Sequence, residues 1–221
     1  MGLYIVATPI GNLEDITLRA LRVLKEADII ACEDTRRTRK LLSHYDIHTP
    51  LTSYYQHNRV TKGKILLEML EQGKDVALVT DAGTPGISDP GFLIIKDAVG
   101  RGLDVVPVPG PCALITALVA SGLPTNGFVF MGFLPRKKGK IKKELEKALE
   151  SGKTVVFYES PYRIVSTLSI LKDIPGDYKV VVAREMTKKF EEILRGRAEE
   201  ILAVLGGRSI KGEIVVVVSP L

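Results

Sequence analysis

Two stretches carry the residue types from which a ligand or reaction site is built. The first is residues 80–91, Thr-Asp-Ala-Gly-Thr-Pro-Gly-Ile-Ser-Asp-Pro-Gly. Gly83, Gly86 and Gly91 permit positive φ and let backbone come close to a ligand, while Pro85 and Pro90 fix their own φ and stiffen the loop. Ser88 or Asp89 suits the cap of a following helix. Strand-to-helix loops usually run about two to six residues. A loop of this length, so rich in Gly and Pro, therefore points to a held ligand more than to an ordinary turn. It lacks the Gly-Lys-Ser/Thr close of a phosphate loop and the G-x-G-x-x-G of a dinucleotide fold. A nucleotide-like ligand gripped mainly by backbone fits it. The second stretch is residues 33–40, Glu-Asp-Thr-Arg-Arg-Thr-Arg-Lys. Acid before base matches a helix whose N-terminus is preceded by carboxylates. The plain alternative is a solvated helix face, which the placement of Glu33 and Asp34 at a strand's carboxyl end weakens.

The elements that must position these residues alternate. Residues 3–7 read as a buried strand, followed by a loop over residues 8–15 in which Asp15 is the expected N-cap. The next helix carries Leu18, Leu21 and Leu24 at a spacing of three. Residues 28–32 form a second strand and residues 51–55 a short extended piece. A helix over residues 60–72 is stopped by Gly73, and the strand at residues 75–80 leads into the Gly/Pro loop and a helix over residues 92–99. Residues 104–109 are a strand interrupted by prolines, which belongs at an edge or a bend. A Gly-Pro turn then opens the helix over residues 114–120, with Pro111 in its first turn. If the sheet is parallel, three Gly/Pro turns (residues 8–12, 81–90 and 109–113) converge on one edge, where open α/β sheets bind ligands.

Turn formers at residues 121–127 mark the domain boundary, giving α/β domains over residues 1–120 and 121–221. The second half has strands at residues 128–133, 153–158, 178–183 and 190–194, and a last one at residues 213–218 that closes the sheet. Its helices cover residues 164–171 and 197–205, with another ending at residue 149. A basic run at residues 136–143 leads into that last helix.

The chain has 221 residues, 45% hydrophobic and 26% charged, which are globular values. Its net charge of +5 favours an anionic partner: nucleic acid, phosphate or a polycarboxylate. Cys32 and Cys112, the two cysteines, suggest a reduced cytoplasmic protein. His44, His48 and His57 match no zinc spacing, so no metal is expected. The first residues show no basic leader and no apolar run long enough for a membrane span.

The order and spacing of the Gly/Pro turns resemble the tetrapyrrole methylase superfamily. The residues that carry the likeness are 6–16 (Val-Ala-Thr-Pro-Ile-Gly-Asn-Leu-Glu-Asp-Ile), 31–36 (Ala-Cys-Glu-Asp-Thr-Arg), 81–91, 107–111 (Pro-Val-Pro-Gly-Pro), 132–136 (Gly-Phe-Leu-Pro-Arg) and 157–163 (Phe-Tyr-Glu-Ser-Pro-Tyr-Arg). They span nearly the whole chain. The more specific likeness is to the branch that methylates a ribose 2′-hydroxyl of small-subunit ribosomal RNA.

The resemblance implies two α/β domains with S-adenosylmethionine in the inter-domain cleft, and a homodimer. It places Pro9 in the first cofactor loop, Ala82, Gly83, Thr84 and Ile87 around the methionine part, Cys112 and Ala113 as a small contacting pair, and Glu159, Met186 and Gly212 near the adenosine end. For Cys112 the alternative is a buried thiol at a helix start. Many members of the branch have a further C-terminal segment that helps hold RNA. This sequence ends at Leu221, so RNA contact is expected from Arg36, Arg39, Arg136, Lys137, Lys138 and Lys140.

The implied reaction is 2′-O-methylation of a cytidine ribose in small-subunit ribosomal RNA, free or in an assembled subunit. A sulfonium methyl is already activated, so the donor needs positioning, whereas a ribose hydroxyl needs a base to take its proton. Glu33, Asp34, Glu159 and Glu185 are the candidates. Asp34 is the favoured base or orienter, Arg36 places a phosphate, and Glu159 is a further catalytic candidate. Two other readings stand: methylation of a tetrapyrrole precursor, and a non-catalytic RNA-binding or assembly module that keeps the fold.

Overall fold

Short runs of β-branched and apolar residues become strands of two five-stranded sheets. The computed structural model describes residues 1–221 and divides them into two units, Met1–Cys112 and Ala113–Leu221.

In the first unit the elements are β1 (Leu3–Val6), α1 (Leu18–Glu26), β2 (Ile29–Cys32), α2 (Thr35–His44), β3 (Leu51–Ser53), α3 (Arg59–Glu71), β4 (Val76–Leu78), α4 (Gly91–Gly100) and β5 (Val105–Val108). The strand order is β3-β2-β4-β1-β5, and every pairing is parallel. Parallel strands need crossovers, here supplied mostly by helices. All five carboxyl ends therefore fall on one edge. Alternate residues along the strands face opposite layers. Val6, Ile30 and Ala77 pack with Ala20, Val23 and Leu24 of α1 and Leu42 of α2. Leu3, Ala31 and Leu78 pack with Leu66 and Leu67 of α3 and Ile94 of α4. Pro107 lies exposed on the edge strand β5, as a residue without an N–H should.

Helix α1 departs from the sequence reading. Its N-cap is Thr17, whose hydroxyl accepts from Ala20 N at 3.1 Å, while Asp15 ends a short 3-10 turn. Leu18 is 86% exposed. At about 100° per residue, a spacing of three drifts by about 60° each step, so Leu18 and Leu24 cannot share a face. The buried stripe is Ala20, Val23 and Leu24.

The second unit has α5 (Ala113–Ser121), β6 (Phe128–Phe133), α6 (Lys138–Leu149), β7 (Thr154–Glu159), α7 (Ile164–Lys172), β8 (Tyr178–Arg184), β9 (Glu192–Gly196), α8 (Ala198–Leu205) and β10 (Ile214–Pro220). Its order is β6-β7-β10-β8-β9. Strand β6 is parallel to β7, β10 is antiparallel to both neighbours, and β8 is antiparallel to β9. The last strand thus does not close the sheet at an edge but inserts at its centre. Residues 214–219 are all buried, a pattern that requires cover on both faces and partners on both sides. One face packs Phe157, Val182 and Val216 against Leu145 of α6, Leu168 of α7 and Ile201 of α8. On the other face, α5 lies across β7, β10 and β8. The carboxyl ends of β6, β7 and β8 and the starts of β9 and β10 share one edge. The basic run is not confined to a loop, since Lys138, Lys140, Lys142 and Lys143 belong to the first turns of α6.

Candidate cofactor and active site

At the carboxyl edge of the first sheet, the three Gly/Pro turns are bonded to one another. Thr8 and Gly83 exchange backbone hydrogen bonds, N to O, at 2.9 Å in both directions. The Thr8 hydroxyl donates to the Thr80 carbonyl at 3.2 Å, and the Thr84 hydroxyl to the Pro111 carbonyl at 3.1 Å. Gly83 is buried with φ +87°, a conformation that L side chains rarely adopt, and a Cβ built on it would stand 3.5 Å from Ile10 Cγ2 and 3.8 Å from the Pro111 oxygen. The loop is held open from within by Asp89. Its carboxylate accepts from Gly86 N at 2.9 Å and from Gly91 N at 2.7 Å, and so bonds the first residue of α4. Around this frame Ala82 and Ile87 are exposed, while Pro9, Thr84 and Cys112 are half-buried.

The carboxylates beside this frame differ in their surroundings. Asp34 caps α2, accepting from Arg36 N at 2.8 Å. The Arg36 guanidinium grips both its oxygens, Nε at 3.1 Å and Nη2 at 2.7 Å. That side-chain grip first, and the Arg36 backbone N–H second, hold the Asp34 carboxyl far below the usual range. Asp81 accepts from Asp34 N at 3.1 Å and pairs with Arg37 at 3.1 Å. Glu33 is the opposite case. Burial pushes its pKa up; the hydroxyl of Thr80, bonded to its Oε1, opposes this, and Asp89 and Asp81 add to the rise. Asp89 is also raised by burial, against the pull of its backbone donors. A carboxylate raised in this way keeps its proton at a higher pH and is a stronger base once ionised.

In the second unit, Glu159 ends β7 with its side chain 1% exposed. It accepts from Ser160 N at 2.7 Å and from the Thr167 hydroxyl at 2.6 Å, and pairs with Arg163 at 3.2 Å. Arg163 reaches on to the Pro135 carbonyl at 2.9 Å. Glu159 therefore buttresses the turn after β7, with its bonding directed inside the unit. Met186 is buried between two residues with left-handed backbone, Glu185 at φ +50° and Thr187 at φ +64°. Lys188 fastens this turn, with Nζ 2.8 Å from both Glu185 and Glu213. Gly212 has φ +95°, and a Cβ there would overlap the Glu185 side chain. Arg39, Arg136, Lys137, Lys138 and Lys140 are exposed.

Of the residues picked from the sequence, Pro9, Ala82, Gly83, Thr84, Ile87 and Cys112 come together on the first edge. Glu159, Met186 and Gly212 lie on the second, and Ala113 opens α5. Arg36 is engaged by Asp34. Asp89 does bond the first N–H of α4, as its place before that helix suggested, but the sequence reading missed the clamps: Thr8 and Thr80 joining the first two turns, the bond of Asp89 back to Gly86 N, and Lys188. A buried Thr at a strand's end and an Asp three residues after a Gly are the available signals for the first three. The Lys188 bond to Glu213 spans 25 positions, so the spacing to Glu185 alone does not reveal the bridge. No cluster of three or more His, Cys, Asp or Glu side chains is arranged to hold a metal, and no helix is long and apolar enough to cross a membrane.

Residues 2–202 match the tetrapyrrole (corrin/porphyrin) methylases. The chain is 52% identical over 216 residues to ribosomal RNA small subunit methyltransferase I of Halalkalibacterium halodurans, covering 98% of this chain and 75% of that protein. To the protein of the same name from a Hydrogenobaculum species it is 48% identical over 223 residues, 99% of this chain and 96% of that one. Among solved structures, uroporphyrin-III C-methyl transferase from Thermus thermophilus, complexed with S-adenyl homocysteine, superposes with a TM-score of 0.66. That match has 21% identity over 98% of this chain and 97% of the other, a likeness that bears on the fold.

Proposed function

This chain belongs to the tetrapyrrole (corrin/porphyrin) methylase family, and from that premise we propose that it methylates a cytidine ribose 2′-hydroxyl of small-subunit ribosomal RNA. The methyl donor is S-adenosylmethionine. The observation that carries the reading is full-length similarity to small-subunit ribosomal RNA methyltransferases, joined to an edge where three turns are bonded around a buried positive-φ glycine.

That edge fits the cofactor. Gly83 leaves a cradle that a side chain would fill, and the exposed Ala82 and Ile87 flank it. By the family likeness, the proposed contacts of the cofactor are Pro9, Thr84 and Cys112 in the first unit and Ala113, Met186 and Gly212 in the second. Glu159 acts there through the turn it buttresses. Bound in this way, the cofactor supplies a methyl group on a sulfonium, so the chain's own task is to hold two groups in line and remove one proton.

For that proton we propose Glu33, which follows the carboxyl end of β2 and whose pKa is raised by burial; Asp89 is raised too, but its carboxylate is taken up by Gly86 N and Gly91 N. Asp34, ionised and gripped by Arg36, serves as the orienter that fixes the start of α2. Arg36 spends two of its five donors on that pairing, and with Arg39 it offers charge to a phosphate. Arg136, Lys137, Lys138 and Lys140 neutralise backbone phosphates. The homodimer and a cytoplasmic site of action belong to the same proposal.

The test is methyl transfer from labelled S-adenosylmethionine to small ribosomal subunits, naked small-subunit RNA and a tetrapyrrole precursor, with the product nucleoside identified by mass spectrometry. Label in 2′-O-methylcytidine supports the reading. Label only in the tetrapyrrole, or in no substrate despite cofactor binding, replaces it.

A further inference from the structure

The carboxyl edge of the second sheet carries large aromatic side chains in solvent. Phe133, Tyr162 and Phe190 are 63%, 95% and 66% exposed. Strand register brings them to one edge. Phe133 is level with Tyr158 of β7, one residue before that strand ends. Tyr162 sits in the turn just beyond Glu159, and Phe190 in the connection whose base is the Arg184–Glu192 pair. With strands spaced about 4.8 Å apart, the three lie along a front of roughly 14 Å from β6 to β8.

Each ring is placed by local structure. The register of β6 breaks between Phe130 and Phe133, and Gly132 takes φ +63°. Residues three apart on a regular strand face opposite sides, but a bulge re-aims the chain. Here both Phe130 and Phe133 contact the Tyr158 ring, at 5.1 and 5.3 Å between centroids. Tyr162 follows Pro161 in a turn closed by the Ser160 carbonyl, which accepts from Arg163 N at 2.9 Å. Lys189 lies 5.7 Å from the centroid of Phe190.

The charge around these rings is positive. Arg136, Lys137, Lys189 and Lys211 are exposed on the same edge, and none of them makes an ion pair. Pre-set aromatic faces interleaved with cations that carry no ion pair suit an unpaired nucleic acid strand, whose bases stack while its phosphates are neutralised. A hydrophobic protein partner would leave these cations without a counter-charge. We propose that Phe133, Tyr162 and Phe190 form a stacking platform for unpaired bases of the RNA substrate. This rests on the RNA reading above and assigns the bases, as distinct from the phosphates, to named residues.

The test uses a fluorescein-labelled single-stranded 12-nucleotide RNA and the same sequence as a duplex. Both are titrated against the full chain and against Phe133→Ala, Tyr162→Ala, Phe190→Ala and Tyr162→Phe. Each alanine variant should lose roughly 5- to 100-fold in affinity for the single strand. Its slope of log affinity against log salt should not change, because no charge is removed. Tyr162→Phe should bind as the unaltered chain does, and the duplex should be nearly indifferent to all four changes. Calorimetry with S-adenosylhomocysteine reports whether each variant keeps its folded cofactor site. If the unaltered chain binds the single strand and the alanine variants match it, the platform is wrong while the RNA reading survives. Failure of the unaltered chain to bind either RNA or small subunits removes both. Alanine variants that keep RNA affinity but change oligomeric state in sedimentation would make this edge a contact between copies, which also overturns the proposal.

Discussion

The two sheet edges are built differently: strand-to-helix loops dominate the first, whereas the second adds the β8–β9 hairpin. The first, in the parallel sheet, is built mainly of backbone. Thr8, Gly83 and Pro111 are tied by main-chain atoms and hydroxyls, and its half-buried carboxylates, Glu33 and Asp89, are shifted up by burial. The second, in the mixed sheet, is held by charges. Glu185 is shifted down, first by its bond from Lys188. Glu192 is also shifted down, where burial pulls upward but Arg208 and Arg184 outweigh it. A backbone frame fixes a small ligand to within fractions of an ångström and is intolerant of added atoms. A frame of ion pairs and exposed rings meets a large, charged and variable ligand. On the function proposed above, the cofactor's reactive end would sit at the first edge and most RNA contact, Arg36 and Arg39 aside, at the second.

The strongest way to break that division is Gly83→Val. A β-branched residue at φ +87° is strained wherever there is space, and this one also fills the cradle. S-adenosylhomocysteine binding should disappear in calorimetry while circular dichroism shows the helices intact. Gly83→Ala, with one methyl group, should retain weak binding. Full affinity in the valine variant would detach the cofactor from this loop.

Next in size is the contrast between neighbouring carboxylates. Glu33→Gln should slow single-turnover methyl transfer by roughly 10²- to 10⁴-fold with cofactor affinity unchanged, and the rate should rise with pH through a pKa above the ordinary glutamate value. Asp34→Asn keeps an oxygen for the α2 cap, so it should lower the melting temperature and cost far less rate. The reverse ranking would return the base to Asp34.

A smaller effect concerns the second edge and the helix beside it. Helix α6 begins with Lys138 and Lys140 and has no side-chain cap, although a helix N-terminus favours negative charge. That local cost is repaid if an anion docks there. Changing Arg136, Lys137, Lys138 and Lys140 to Ala should flatten the slope of log RNA affinity against log salt by up to about 2 to 3 units. An unchanged slope would make the run solvated surface.

Much of this was readable in advance because the informative residues are local. The Gly/Pro turns and the apolar runs before them fix which strand ends carry loops, and β/α alternation implies one common edge. Pro107 announced its edge strand. Helix α1 was misread because spacing of three alone does not choose between phases, and Thr17 outcompeted Asp15 by lying directly before the helical residues. The central position of β10 depends on pairing across distant segments. Its run of valines says that it is buried, but not between which strands. The surroundings of Glu33 and Asp34 were the least legible, since adjacent acids in the sequence become opposite in environment only after Thr80, Asp81 and Asp89 are brought beside them.

The gentlest probe of the comparison is the proton. Glu185 and Glu192 have folded-state pKa values below their ordinary ones, so the folded chain binds fewer protons there than the unfolded chain does. Their stabilisation is present above the ordinary glutamate range and is lost as pH falls below it, through the lowered values. Glu33 and Asp89 have the opposite sign. Raised values mean that the folded chain binds more protons, so their contribution is fully present below the ordinary carboxylate range and is lost as pH rises through the raised values. Acid should therefore loosen the turn after β8 while leaving the 80–91 loop, held by Asp89, intact; at the first edge the acid-sensitive part is the start of α2, capped by the lowered Asp34 carboxyl. Hydrogen exchange at residues 185–191 compared with residues 80–91, followed from neutral pH to about pH 3, below the ordinary glutamate value, reads this directly. Lys188→Met removes the bridge between Glu185 and Glu213 and should cost about 1 kcal/mol of stability, given that both partners are partly exposed. It should also abolish most of the acid sensitivity of the 185–191 turn. Equal acid protection at both edges in the unaltered chain would mean that ion pairs do not set the stability of the second edge.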